Sequence, residues 1–223
     1  QELLLRHRAR RVMVVCPAGL TIKWRDEMAE KFGLDFTIVN SEQCATLRRT
    51  HGSAANPFRV YPLVIASLPW LRSPRAQRLL DEVLPPVDPH GVAAERREFD
   101  LLILDEAHHV APAAPRRRYA VDSQQTKLLR RMVPHFEHRL FLTATPHNGY
   151  QESFTALLEL LDDQRFARGV EPDKAARREV VVRRLKRDID EAGLRFPPRS
   201  TEPIEVTYPD AEREVHALLE RFA

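Results

Sequence analysis

The 223-residue chain has only two cysteines, no long apolar segment and no initiator methionine. Cys16 and Cys44 lack metal-ligand spacing, and such sparse cysteine usage favours a reducing, cytoplasmic setting. No apolar run approaches the ~20 residues that a membrane-spanning helix requires, so no membrane partner is expected. The chain also lacks a signal peptide, and its start at Gln1 predicts that it begins inside a longer protein.

The composition is typical of a soluble globular protein, because 43% of the residues are hydrophobic and 30% are charged. The formal net charge is +3, and basic residues cluster in segments 6–11, 116–118 and 177–187. Solvated surface is the ordinary interpretation of such clusters. Contact with nucleic-acid phosphates, which releases counterions, is the alternative. Charge alone favours the first interpretation.

Five short apolar runs predict β-strands, in residues 12–16, 36–39, 63–66, 101–104 and 140–142. They are apolar at nearly every position, which is typical of parallel strands buried on both faces. Helical periodicity appears at Leu20, Trp24, Met28 and Phe32, at Phe154, Leu157, Leu158 and Leu161, and at Val215, Leu218, Leu219 and Phe222. The sequence therefore predicts an α/β fold with an open, mainly parallel sheet flanked by helices.

The organisation along the chain predicts two parts. Residues 1–162 are expected to form the sheet domain, with a helix over residues 2–11 and an exposed, proline-containing insertion at 85–99. Residues 163–223 are expected to form a basic connecting segment and a helical appendage. This second part contains a break at a proline pair, then a short strand over 204–208.

The strongest chemical signal is Asp105-Glu106-Ala107-His108, directly after the apolar run 101–104. An acid at the carboxyl end of a buried strand can reach Mg²⁺ bound to nucleotide phosphates, and a neighbouring carboxylate can deprotonate a water molecule. An ordinary charged strand end is the alternative. Four such residues behind a buried strand favour the functional interpretation.

A second signal, Leu142-Thr143-Ala144-Thr145-Pro146, closes the next apolar run. Small hydroxyl side chains there can hydrogen-bond to the acidic pair and sense a γ-phosphate. A plain strand and turn ended by proline is the alternative. The position directly after the acidic strand favours the functional interpretation.

Taken in order, these motifs resemble the SNF2 branch of the superfamily 2 helicases. The resemblance rests on Val14-Val15-Cys16-Pro17 with Leu20, Trp24 and Glu27, on Asp-Glu-Ala-His, on Thr-Ala-Thr-Pro, on Val182-Arg183-Arg184-Leu185-Lys186, and on Phe196-Pro197-Pro198-Arg199. The stretch His147-Asn148-Gly149-Tyr150 with Glu152-Ser153-Phe154 is similar to bacterial members, among them RNA-polymerase-recycling ATPases and helicases of phage-defence systems.

The resemblance implies a first RecA-like lobe of an ATP-driven translocase on duplex DNA, in the bacterial cytoplasm. It implies ATP and Mg²⁺ as cofactors, a second RecA-like lobe as partner, and RNA polymerase or defence-system components as further partners. By resemblance, Asp105 binds Mg²⁺ through ATP, Glu106 is the base, and His108 connects them to Thr143, Ala144 and Thr145. DNA contacts are implied for Pro17, Ala18, Ser67 and Leu68.

The sequence departs from the family at one important point. The family holds ATP phosphates with a glycine-rich loop ending in Gly-Lys-Thr, and no Gly-x-x-x-x-Gly-Lys occurs in these 223 residues. The second lobe's arginine finger, worth on the order of 10³-fold or more in phosphoryl transfer, is also absent. We therefore expect the chain alone to show negligible ATP hydrolysis.

Other interpretations remain open at this point. The chain could be a catalytically inactive docking module for nucleic acid or protein, whereas a nuclease is less favoured because no third strand-end carboxylate accompanies Asp105 and Glu106. A zinc site is not expected, since no His-Glu-x-x-His occurs. His147 is interpreted as a loop residue, Gly149 as a turn residue, and Trp24 as a core residue and not a base-stacking platform.

Overall fold

A computed structural model describes residues 1–84, 99–111, 123–146, 151–184, 200–205 and 209–220. Residue contacts divide the chain into two compact units, Gln1–Arg177 and Arg178–Ala223. The division near residue 162 that the sequence suggests stays a prediction about domain organisation. None of the helices in the described part of the chain has the length and apolar character of a membrane span.

The first unit contains one sheet whose five described strands all run parallel, in the order β2-β3-β1-β4-β5. The strands are β1 (Val12–Cys16), β2 (Thr37–Ile38), β3 (Leu63–Ser67), β4 (Leu101–Leu104) and β5 (His138–Phe141). Each predicted apolar run therefore contributes a strand, and the predicted α/β class with an open parallel sheet is confirmed.

Ten α-helices are described, and α2 to α7 lie in the connections between the strands, as parallel pairing requires. They are α1 (Glu2–Leu5), α2 (Thr21–Phe32), α3 (Ser41–His51), α4 (Pro57–Val60), α5 (Leu68–Leu71), α6 (Pro74–Val83), α7 (Gln124–Met132), α8 (Gln151–Leu161), α9 (Lys174–Val180) and α10 (Asp210–Glu220). Short 3₁₀ helices lie at Ala18–Leu20, Ala107–Val110 and Val133–His135.

The alternation of side chains along β1 divides the core between the two faces of the sheet. Met13 and Val15 join a large cluster with residues of helices α3 to α8. Val12, Val14 and Cys16 join a smaller cluster against which α1 and α2 pack. All five β1 side chains are buried, as expected for a central strand with helices on both faces.

The predicted stripe on α2 is confirmed over its first part. Leu20, Trp24 and Met28 are partly buried and pack against the smaller cluster. Phe32 is 41% exposed. A four-residue step turns an α-helix by about 40° beyond a full revolution, so a stripe of this spacing rotates away from the sheet along the helix.

The predicted helix over residues 2–11 is wrong beyond its first turn. Helix α1 ends at Leu5, and His7 has a left-handed backbone with φ of 55°. The backbone N–H groups of Arg10 and Arg11 then donate to Asp100 Oδ2 at 2.6 and 2.9 Å. Because this carboxylate accepts both donors, the segment enters β1 without helical hydrogen bonds.

Two further expectations about burial need correction. Strand β5 begins earlier than the predicted run 140–142, and its Leu140 is 46% exposed, because β5 pairs only with β4 among the described strands. Phe99, at the end of the predicted exposed insertion, is fully buried in the larger cluster. Residues 85–98 of that insertion lie outside the described residues.

In the second unit, the predicted C-terminal helix is confirmed as α10. Its apolar positions Val215, Leu218 and Leu219 are exposed, whereas Phe222 lies outside the described residues. The predicted strand over 204–208 is absent at Ile204 and Glu205, where the chain is irregular and Ile204 is 86% exposed. Residues 206–208 and the motif segments 185–187 and 196–199 also lie outside the described residues.

Candidate functional site

The carboxyl ends of four neighbouring strands place the predicted site residues along one edge of the sheet. In the order of the sheet, Ser67 ends β3, Pro17 follows β1, Asp105 follows β4, and Leu142 with Thr143 follows β5. The register aligns Cys16 with Ser67, Val15 with Leu104, and Leu104 with Phe141. Parallel pairing thus brings the separate motifs to one edge, where open α/β sheets bind ligands.

Asp105 is held at this edge by backbone and side-chain hydrogen bonds. Its N–H donates to the Val15 carbonyl at 2.8 Å, which extends the pairing of β1 with β4 by one residue. Its carboxylate accepts two donors: Oδ1 accepts the N–H of Glu106 at 2.9 Å, and Oδ2 accepts the Trp24 indole N–H at 2.7 Å. The carboxylate therefore has a defined orientation.

Glu106 adopts a left-handed backbone with φ of 48° and ψ of 48°. This region is uncommon for residues with a Cβ atom and is enriched at functional sites. The conformation turns the chain from β4 into the 3₁₀ helix Ala107–Val110, and Ala107 N–H donates to the Leu142 carbonyl at 2.9 Å. The acidic motif is thereby fixed to the segment that follows β5.

His108 lies between the second acid and the hydroxyl motif. Its Nδ1 atom is 3.2 Å from Glu106 Oε2 and 3.1 Å from Thr143 Oγ1. A protonated Nδ1 donates to the carboxylate, and an unprotonated Nδ1 accepts from the hydroxyl. Thr143 Oγ1 also accepts the N–H of Thr145 at 3.1 Å. The side chains of Glu106 and His108 are 35% and 29% exposed, so solvent reaches both.

The hydroxyl motif lies at the surface of the same edge. Thr143 is half-buried, whereas Ala144 and Thr145 are exposed. His147 and Gly149, for which a loop and a turn are predicted, lie outside the described residues. Of the three residues of the hydroxyl motif, Thr143 is the one whose side chain contacts His108.

The donor set fits a magnesium ion shared with a nucleotide. In the described residues, no group of three or more His, Cys, Asp or Glu side chains is arranged to hold a metal ion. Mg²⁺ characteristically keeps several water molecules and binds through one or two carboxylates plus substrate phosphates. Asp105 and Glu106 are carboxylates of the kind that such a shared site uses.

Burial is the main influence on the thiol beneath this edge. Burial, with a smaller contribution from the negative charge of Asp105, raises the pKa of Cys16 from 9.0 to about 12. Cys44 is also buried, and its pKa is raised mainly by burial. Both thiols are therefore neutral packing residues at neutral pH.

The residues predicted to approach DNA follow β1 and β3, the two strands next to β4 on one side. Pro17 is half-buried and Ala18 is exposed, in a turn that Thr21 Oγ1 closes by donating to the Ala18 carbonyl at 3.0 Å. Ser67 caps α5 by accepting the N–H of Trp70 at 3.3 Å. Leu68 is only 7% exposed, so little of this residue is accessible to a ligand.

Comparison with known proteins identifies the family to which these motifs belong. RNA polymerase-associated protein RapA from Actinobacillus succinogenes is 36% identical over 169 residues, which cover 74% of this chain and 15% of the relative. The RapA proteins of Haemophilus influenzae and Vibrio cholerae are 34% and 35% identical over 170 and 165 residues. These cover 74% and 73% of this chain and 16% and 15% of the relatives. The chain contains an SNF2-family ATPase region.

Other comparisons add less. No protein-family model matches the chain. Among solved structures, the Sulfolobus solfataricus SWI2/SNF2 ATPase core in complex with dsDNA is similar, with a TM-score of 0.46 and 13% identity over 72% of this chain and 27% of that chain. Since the SNF2-family region spans only about 15% of the length of the RapA relatives, the activity and partners of the whole protein are proposals.

One contact in this SNF2-family region is not predicted by the sequence. Trp24 is predicted to be a core residue, and it does pack against the smaller cluster. Its indole N–H also reaches Asp105, 81 residues later in the chain. A partly buried indole N–H usually has an acceptor, so a partner could have been expected. Its identity depends on the adjacency of β1 and β4, which no local pattern reveals.

Proposed function

We propose that this chain supplies the hydrolytic acids and part of the DNA-tracking surface of an ATP-dependent translocase on double-stranded DNA. The observation that carries the proposal is the convergence of Asp105, Glu106, His108 and Thr143 at one edge of the sheet. Membership of the SNF2 family supports ATP as the nucleotide.

Asp105 is proposed to hold Mg²⁺ together with the phosphates of ATP. When bound, Mg²⁺ neutralises charge on those phosphates. Asp105 suits this role because its carboxylate is oriented by two neutral donors, neither of which brings a positive charge that would repel the ion. Each carboxylate oxygen has a second lone pair free to face the ion or its water ligands.

Glu106 is proposed to accept a proton from the water molecule that attacks the γ-phosphate. Its Oε2 atom faces His108 at 3.2 Å, which leaves Oε1 for the water. A general base of this kind contributes about 10²- to 10⁴-fold to a reaction rate. The side chain is partly exposed, so water has access to it.

His108 is proposed to report the state of Glu106 to the hydroxyl motif. Its Nδ1 atom lies within hydrogen-bond distance of both Glu106 and Thr143. A change of protonation at Nδ1 exchanges one partner for the other. Movement of the motif at residues 143–145 is thus tied to the charge of the base.

DNA is proposed to lie along the same edge of the sheet, against the Pro17–Ala18 turn and the start of α5 at Ser67. Ala18 has a small side chain, Gly19 has none, and both residues are exposed, so a phosphate backbone can approach the main chain closely. Such contacts position a protein without reading the base sequence.

RNA polymerase is proposed as a partner of the full-length protein. The support is the printed description of the RapA relatives, which are RNA polymerase-associated proteins. Co-sedimentation of the full-length protein with purified RNA polymerase tests this. Migration of the two as separate species at micromolar concentrations would count against it.

The proposed function is tested by ATP hydrolysis in the full-length protein, measured with and without duplex DNA. We expect DNA-stimulated turnover, and we expect Asp105→Asn to lower it at least ~100-fold, since even outer-shell partners of a metal contribute up to about that factor. Asp163→Asn is the matched control, because Asp163 is exposed and remote in sequence from the motifs. The 223-residue chain alone should show no turnover, because it lacks the Gly-Lys-Thr loop.

Two results would contradict the proposal. Robust turnover by the purified 223-residue chain would show that phosphate is held in a different way. A full-length protein that binds DNA or protein but never hydrolyses ATP would favour the docking-module alternative.

A further inference from the structure

The two oxygens of the Asp105 carboxylate accept donors of different origin. The donor to Oδ1 is the backbone N–H of the next residue, Glu106, at 2.9 Å. The donor to Oδ2 is the Trp24 indole N–H at 2.7 Å, from a helix that follows a different strand. The backbone contact is local, so Trp24 is the side chain that fixes the carboxylate relative to the rest of the sheet.

Trp24 is itself firmly placed. It lies in α2, is half-buried, and packs against the cluster formed by Val12, Val14, Cys16, Phe36 and Ile65. An indole has two side-chain torsions and a large rigid ring, so packing of one face fixes the direction of its N–H. The indole N–H that donates to Asp105 is therefore held in place by the packing of the Trp24 ring.

The chemistry of the donor matters for a carboxylate that binds a cation. A lysine or arginine at this distance would orient Asp105, but it would also offset its charge and repel Mg²⁺. The indole N–H is neutral and can only donate, so it orients the oxygen and leaves the carboxylate charge intact. Outer-shell partners of this kind typically change metal affinity by about 10- to 100-fold.

We propose that Trp24 is a positioning residue for the magnesium-binding carboxylate of Asp105. The inference rests on the proposed role of Asp105 in binding Mg²⁺–ATP. We infer that the hydrogen bond from the indole N–H, and not only the packing of the ring, determines the Mg²⁺ concentration that the full-length protein needs for ATP binding and turnover.

The contact can be tested on the 223-residue chain without any metal. With ¹⁵N-labelled tryptophan, Trp24 and Trp70 should give two indole N–H resonances, which Trp70→Phe assigns. Asp105→Asn should shift the Trp24 resonance, because a hydrogen bond to a charged acceptor becomes one to a neutral acceptor. The Trp70 resonance should stay in place, since its indole N–H donates to Ser41 Oγ at 3.2 Å. An unmoved Trp24 resonance would overturn the proposed contact.

The consequence is tested in the full-length protein by titrating Mg²⁺ and following both the binding of a fluorescent ATP analogue and ATP turnover. Trp24→Phe keeps an aromatic ring on the cluster but removes the N–H. It should raise the Mg²⁺ concentration for half-maximal signal about tenfold, with a smaller change in turnover at saturating Mg²⁺. Trp70→Phe should leave the Mg²⁺ dependence unchanged.

The outcomes separate this inference from the proposed function. If Asp105→Asn alters the Mg²⁺ dependence and Trp24→Phe lowers only thermal stability, Trp24 is a packing residue and the inference fails. If Asp105→Asn itself leaves Mg²⁺ dependence and turnover unchanged, the proposed function fails first. The resonance of Trp24 in the Asp105→Asn chain does not require Trp24→Phe to fold, so it tests the contact in every case.

Discussion

The imidazole Nδ1 of His108 lies 3.1 Å from the hydroxyl oxygen of Thr143, although 35 residues separate them in the chain. The same Nδ1 atom is 3.2 Å from Glu106 Oε2. Parallel pairing of β4 with β5 creates this relationship, because it aligns Leu104 with Phe141 and lets both motifs leave the sheet side by side. A histidine that contacts both groups connects the proposed base to the hydroxyl motif.

Thr143→Val is expected to lower DNA-stimulated ATP turnover in the full-length protein about five- to tenfold. Valine keeps the shape of threonine but removes a hydrogen bond worth about 1 kcal/mol. Binding of a fluorescent ATP analogue should be unchanged, because the hydroxyl faces His108. Thr46→Val, at an exposed position of α3, is the control. Equal turnover in wild type and Thr143→Val would show that the Thr143 hydroxyl has no role in ATP hydrolysis.

Arg11→Lys is expected to lower the free energy of unfolding by about 1–3 kcal/mol, as measured by urea denaturation. The Arg11 guanidinium donates to the Phe58 carbonyl, and at 3.3 Å to the carbonyls of Arg59 and Tyr61. It also lies 5.1 Å from the centre of the Phe99 ring. All three hydrogen bonds come from Nη2, and the planar guanidinium that carries it also lies beside the Phe99 ring, an arrangement that a lysine ammonium does not reproduce.

Arg10→Lys is the matched control for Arg11→Lys, because the Arg10 side chain is exposed. It should change the stability little. Because the Arg11 guanidinium is hydrogen-bonded to these carbonyls, Arg11 is not expected to contact DNA, although it belongs to the basic segment 6–11. Equal stability of the two variants would mean that the carbonyl contacts of Arg11 contribute nothing measurable.

Cys16 is expected to react slowly with maleimide in the native chain at pH 8.5 and rapidly in urea. Burial, and then the charge of Asp105, raises the pKa of its thiol from 9.0 to about 12. The folded-state pKa lies above that of the unfolded chain, so this contribution to stability is complete below pH 9. It is lost as the pH rises from 9 towards 12.

Mass spectrometry of a Cys44→Ala chain, labelled at several pH values, isolates the reaction of Cys16. The native labelling rate should rise across the alkaline range. Rapid labelling of the folded chain at pH 8.5 would mean that the thiol is more accessible than its 1% exposure indicates.

The chain is expected to bind duplex DNA weakly and without sequence preference. Backbone contacts from the edge of the sheet carry no charge, so only a few phosphates would be neutralised, by exposed arginines and lysines. Binding should therefore weaken as the salt concentration rises. The logarithm of the binding constant should fall against the logarithm of the salt concentration with a slope of roughly −0.9 for each phosphate neutralised. Fluorescence anisotropy on unrelated duplexes across a salt series measures this. Strong preference for one sequence, or indifference to salt, would contradict it.

Much of this fold follows from local patterns in the sequence. The apolar runs predict all five described strands, and the acids after residues 101–104 predict the edge at which the candidate site lies. These predictions succeed because a central parallel strand such as β1 must be apolar on both faces. The exposure of Leu140 departs from the same rule, because β5 has a described neighbour on one side only.

The remaining features depend on tertiary contacts that the local pattern does not contain. The end of α1 follows from the left-handed backbone of His7 and from Asp100, which lies 90 residues after Arg10. The hydrogen bond from Trp24 to Asp105 requires β1 and β4 to be neighbours, and strand order is not encoded in any single segment. The sequence therefore predicts which residues reach the edge, but not which of them touch.

Glu106 is the proposed base, and its role is measured by ATP turnover and ATP binding in the full-length Glu106→Gln variant. Glutamine keeps the size of the side chain but cannot take the proton of the attacking water, so turnover should fall by about 10²- to 10⁴-fold. Binding of a fluorescent ATP analogue should persist, and Glu30→Gln, exposed on α2, should behave as wild type. Near-normal turnover by Glu106→Gln would mean that the base lies elsewhere and would overturn the proposed role of Glu106.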